Sequence, residues 1–145
     1  MARAFAYRHL TYLWGDVPLN LSPSSDGIIR TDWERTPVDK VRQQVIKDLL
    51  FAEPLIPVEG SLTGRMTKGA VQHYLAEIYL TLNKPDSTLF WASKVVNNPA
   101  YALITERYGV QAGQDGIAFM DMFKDGNTNR EEGNSEALWV FQFKN

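Results

Sequence analysis

Along four stretches of this 145-residue chain, apolar residues recur at spacings of three and four, and each stretch is halted by glycine or proline. That period predicts helices over residues 2–14, 37–53, 67–82 and 86–97. In the first, Ala2, Ala6, Leu10 and Leu13, with Phe5 beside them, form the expected stripe. Gly15 follows Trp14, where a left-handed backbone carries no Cβ penalty, and Pro18 prevents the helix from resuming. The second helix starts with Thr36 as N-cap, Pro37 at the first helical position and Asp39 three residues after the cap. Val38, Val41, Val45, Leu49 and Ala52, widened by Ile46, make its inner face, and Pro54 and Pro57 end it. Thr67 is the expected cap of the third helix, whose face is Ala70, Val71, Tyr74, Leu75, Ile78, Tyr79 and Leu82. Asn83-Lys84-Pro85 turns the chain into the fourth, with Leu89, Ala92, Val95 and Val96 inward.

Between helices the period is lost. Residues 15–35 form a loop that is long for a compact domain, and Trp33 with Ile28–Ile29 argues for a packed cover. Residues 101–136 are also irregular. Within them Phe119, Met122 and Phe123 fit one helical turn, and DGNTNREEGNSE reads as a solvated polar loop. ALWVFQF, residues 137–143, is apolar and aromatic and is expected to be a buried strand, although no partner strand is evident. The third and fourth helices make a unit of about 34 residues, 67–100. Ala76, Tyr79, a polar turn and a terminal proline stand as in a tetratricopeptide repeat. The expected fold is mostly α: tetratricopeptide-like hairpins, long irregular loops and a short C-terminal strand, in a single domain over residues 1–145.

Composition narrows the function. A net charge of −2 gives no reason to expect nucleic acid or an anionic membrane as partner. The absence of cysteine excludes disulfides, thiol catalysis and Cys-ligated metal. No run of about 18 apolar residues is present, and Arg3, Arg8 and His9 interrupt any signal-peptide core. Helical period is already running at Ala2, without a preceding cap. With the unpartnered 137–143 segment, this predicts a chain cut from something larger. Such a piece is expected to expose apolar surface and to aggregate or dimerise.

Few residues carry chemistry. His73 and Glu77 share a helix face but lack the second histidine of a zinc helix. GRMTKGA, residues 64–70, has glycines five apart but no Lys-Ser/Thr after the second, so Thr67 as a cap explains it better than a phosphate loop. Asp125, Asn127, Asn129 and Glu136 fall at positions 1, 3, 5 and 12 of a calcium loop, but Arg130 stands where the turn requires glycine. Asn20-Leu21-Ser22 is a glycosylation sequon. No catalytic residue, metal ligand or cofactor site is assigned. Flat side chains can stack on the C–H faces of sugar rings. Trp33, between Asp32 and Glu34–Arg35, and Tyr108, beside Arg107, are the candidate ligand-binding residues; the simpler reading of each is a plug that seats its loop on the helices.

Four blocks in order carry a family resemblance. AFAYRHLTYLWGDVPLN resembles the helix-to-loop signature of the SusD/RagB family. TPVDKVRQQVIKDLLFAEPLIP, GRMTKGAVQHYLAEIYLTLNKPDSTLFWASKVVNNPAYAL and NSEALWVFQF are similar to its later blocks. The resemblance implies a middle portion of a nutrient-binding, non-catalytic lipoprotein exposed at the outer membrane of Bacteroidetes-type bacteria. It also implies glycan or other nutrient binding and a TonB-dependent, SusC-like porin as partner. The lipid-bearing cysteine expected of the family is absent from this chain, so a membrane anchor does not apply to it as written. No ligand residue carries over, because the family has no fixed ligand motif. The alternative is a tetratricopeptide-like protein-interaction module gripping a peptide on the 67–100 hairpin.

Overall fold

A computed structural model describes residues 1–22, 32–60 and 62–143. Ile28 and Ile29 lie outside the described residues. The described chain holds five α-helices, α1 (Ala2–Trp14), α2 (Val38–Ala52), α3 (Lys68–Thr81), α4 (Pro85–Val96) and α5 (Ala118–Asp121), with 3-10 turns at Gly109–Gln111 and Arg130–Glu132. It divides into two compact units, Met1–Ala52 and Glu53–Asn145.

In the first unit α1 packs against α2. From α2 the core takes Val41, Val45, Leu49 and Ala52, the stripe read from its period. The stripe expected on α1 is wrong. Leu10 and Leu13 are exposed, Leu13 at 69 %, and the buried residues are Ala4 and Thr11. The small Ala4 side chain suits close helix approach, and polar anchors on the same helix fix which way it faces. Arg3 donates from Nε and Nη2 to the two carboxylate oxygens of Asp48, at 2.6 and 2.7 Å. Its Nη1 donates to the Leu21 carbonyl at 3.2 Å. The Tyr7 hydroxyl accepts from the Asn20 amide at 2.6 Å. These two side chains lay residues 20–21 along α1.

The Gly15-Asp16-Val17 turn joins the two helices. Gly15 has φ +66°, and its N–H donates to the Thr11 carbonyl at 3.2 Å. Asp16 Oδ1 then accepts from the Val38 amide at 2.7 Å. Val17, buried, pairs with Thr36 in an isolated antiparallel bridge, the Thr36 amide donating to the Val17 carbonyl at 3.0 Å. Thr36 was the expected cap. The side-chain oxygen on the Val38 amide comes instead from Asp16, 22 residues upstream, a partner that no local pattern reveals.

In the second unit α3 and α4 form the expected helical hairpin. Thr67 caps α3, its Oγ1 accepting from the Ala70 amide at 3.3 Å. Ala70, Val71, Leu75 and Ile78 are buried, as read. Gly69 answers a different need: a Cβ there would collide with the Tyr101 hydroxyl, which accepts from the Gly69 amide and donates to the Val58 carbonyl. Asn83 turns the chain with φ +54°, a conformation that Asn tolerates better than most residues. On α4 the expected inward residues Leu89 and Val96 are 68 % and 78 % exposed, and Trp91 is the buried one. Apolar residues lie all round this helix, so period alone could not choose its face.

The expected strand over 137–143 is also wrong: among the described residues there is no strand. The Ala137 amide bonds back to the Asn134 carbonyl, and the Leu138 carbonyl accepts from the Thr67 hydroxyl. A local turn and side-chain bonds serve this backbone where a neighbouring strand would have been needed for a ladder.

Asp16→Ala is predicted to destabilise the protein by about 1 kcal/mol, the usual cost of losing a side-chain cap. Urea denaturation measures this. An unchanged midpoint would show that the Asp16–Val38 bond contributes nothing.

Candidate functional site

The second unit contains a cleft of about 240 Å³. One wall is the loop before α3, contributing Glu59, Thr63 and Arg65. The other is built from Asn129–Glu131 and Ala137–Val140, with Trp139 among them. The loop closes on itself through the Arg65 amide, which donates to the Leu62 carbonyl at 3.1 Å. It is tied across the cleft at two points. The Thr63 hydroxyl donates to Glu131 Oε1, and Trp139 Nε1 donates to the Gly64 carbonyl at 2.9 Å. Behind it, Arg130 donates to the carbonyls of Ala100, Ser135 and Ala137 and lies 4.7 Å over the Tyr101 ring. Arg130 is therefore scaffold. The Thr63 bond holds the Glu131 carboxyl below its usual pKa.

Tyr108 belongs to a separate knot in the same unit. Asp121, fully buried, accepts from Arg107 Nε and Nη2 at 2.6 and 3.0 Å and from the Tyr108 amide at 3.1 Å. Arg107 also donates to the carbonyls of Gln111 and Gln114. Asn127, with 0 % exposure, accepts from the Val110 amide and donates to the Tyr108 carbonyl. The Tyr108 hydroxyl donates to the Asn127 carbonyl at 2.8 Å. The ring thus seats its loop, and its hydroxyl is already engaged. Burial and the nearby Asp121, Glu136 and Glu132 charges raise the Tyr108 pKa.

Trp33 lies in the first unit, 39 % exposed. The two candidates fall in different units. DGNTNREEGNSE, expected to be solvated, buries Asn127, Asn129 and Asn134. Of the calcium-loop residues, Asn127 is committed to the Tyr108–Val110 backbone and Asn129 bonds with Glu132 and Gln142. Glu136 accepts from the Ile104 amide. His73 pairs with Glu77 at 3.7 Å. Among the described residues no group of three or more His, Asp or Glu could hold a metal, and no helix is long and apolar enough to cross a membrane.

The sequence reading missed the cleft. Its residues lie more than 60 positions apart and meet only because Thr67, Tyr101 and Arg130 hold the later chain beside the start of α3. A glycine-punctuated loop before α3 and a tryptophan in ALWVFQF were the available signals.

The Arg107 guanidinium holds the Asp121 carboxyl below the usual carboxylate range. A carboxyl lowered on folding adds stability above its unfolded pKa of about 3.9, and that contribution disappears as pH falls through the folded value. Asp121→Asn is therefore predicted to lower the melting temperature most near neutral pH. The gap to the wild type should shrink as pH drops below about 4. Melting curves across that range check it; a gap independent of pH would contradict it.

Residues 1–80 match a SusD-like family described as starch-binding and associating with the outer membrane. The chain is 28 % identical over 141 residues to SusD-like protein P2 of Formosa agariphila, covering 97 % of this chain and 26 % of that protein. A solved SusD superfamily protein from Bacteroides vulgatus superposes with a TM-score of 0.75 at 22 % identity, covering 94 % of this chain and 26 % of that one. A SusD-like protein from Bacteroides fragilis gives 0.73 at 19 %, covering 99 % and 26 %. The chain thus spans about a quarter of the length of the relatives it matches. The matched residues take in the helix-to-loop signature, all of the first unit and most of α3, and the chain belongs to the SusD-like family.

Proposed function

We propose that this chain is part of a non-catalytic protein exposed at the outer membrane, which binds glycans and passes them to a TonB-dependent porin of the SusC type. The observation that carries this reading is the family match over residues 1–80, with its starch-binding, outer-membrane description. Neither aspartate whose pKa is displaced among the described residues offers a general acid or base. Asp48 and Asp121, the aspartates with displaced pKa values, are both locked to arginines that hold them ionised. A general acid or base needs a group poised near the working pH. Trp33 remains a proposed stacking residue. Tyr108 does too, through its ring alone.

Glycan binding of this kind rests on several hydrogen bonds worth about 1 kcal/mol each, which gives affinities of roughly micromolar to millimolar. The full-length protein is predicted to be retarded in native gels containing starch or another neutral glycan, to leave the glycan's length unchanged, and to co-purify with a porin from detergent-extracted outer membranes. Free migration across a glycan panel, or shortening of the glycan, would contradict the reading.

A further inference from the structure

We infer that the cleft lined by residues 59–60, 62–65, 129–131 and 137–140 is a subsite for one neutral sugar ring. The inference rests on the glycan-binding reading and adds a place and a ligand size to it. The cleft's volume of about 240 Å³ equals that of about eight waters. It suits a single ring and is below the range of clefts that enclose larger ligands.

Its charges argue for a neutral occupant. The lining includes two acids, Glu59 and Glu131, and two bases, Arg65 and Arg130, so neither a phosphate nor an amine is favoured. Arg130 is spent on three carbonyls, and Glu131 on the Thr63 hydroxyl. Glu59 and Arg65 have exposed side chains with no partner among the described residues. A carboxylate that only accepts and a guanidinium that only donates complement a sugar, whose hydroxyls do both. Trp139 completes the set. Its N–H is committed to the Gly64 carbonyl and its ring packs against Phe141, centroids 4.2 Å apart, so it gives the cleft a fixed apolar wall. The two ties across the cleft, Thr63–Glu131 and Trp139–Gly64, fix the walls before a ligand arrives, which lowers the ordering cost of binding.

The test uses the full-length protein with maltoheptaose or, where that does not bind, the panel glycan that retards it. Isothermal titration is run on the wild type, Arg65→Ala and Glu59→Gln, with melting temperatures alongside. Each variant is expected to weaken binding about tenfold, a loss of about 1.4 kcal/mol, at unchanged melting temperature. Wild-type affinity in both variants would overturn the subsite and leave the glycan-binding reading standing. A fall in melting temperature, whatever the affinity, would show that another part of the polypeptide uses these side chains, and would also overturn it. A wild type that binds no glycan would end both.

Discussion

A chain that leaves its helices without entering a sheet must still pair its backbone groups, and here side chains do so at exposed, part-buried and buried positions. Asp16 takes the Val38 amide, Thr67 the Ala70 amide, Asp121 the Tyr108 amide and Asn127 the Val110 amide. Arg107 and Arg130 serve carbonyls in the same way. Such bonds contribute modestly when made, but a buried amide left without one costs roughly 1–3 kcal/mol. The irregular third of the second unit is therefore held by a few polar side chains, and its shape depends on their identity.

This constraint gives the family signature a physical meaning. Arg3 and Tyr7 anchor the departing loop to α1, Ala4 packs small inside the unit, Gly15 supplies the positive φ, and Asp16 with Val17 receives the start of α2. An aspartate and a tryptophan beside a glycine look like a site in the sequence. In the structure the aspartate and glycine are joinery. The cleft lies in the other unit, where Gly64 and Arg65 open the third block of the resemblance.

What the sequence made legible follows from the range of each interaction. The face of α2, the Thr67 cap and the hairpin turn at Asn83 depend on neighbours within a few positions, and period and capping chemistry found them. The face of α1 is set by Arg3 reaching Asp48, 45 residues away, and apolar spacing pointed elsewhere. Trp91 outcompetes Leu89 and Val96 for the interior of a helix that is apolar on several sides. ALWVFQF has strand composition, but composition supplies no partner. The asparagines of 125–136 read as solvated because their acceptors and donors are mostly backbone groups, which carry no sequence signal.

The division of labour between signature and cleft is most directly tested by hydrogen–deuterium exchange on the full-length protein, with and without a saturating glycan that it binds. The amides of Val38, Tyr108 and Val110 should exchange slowly in both states, because side chains already hold them. Residues 62–65 should gain protection when the glycan is added. Fast exchange at Val38, or glycan-induced protection in residues 16–20 with none in 62–65, would contradict the account.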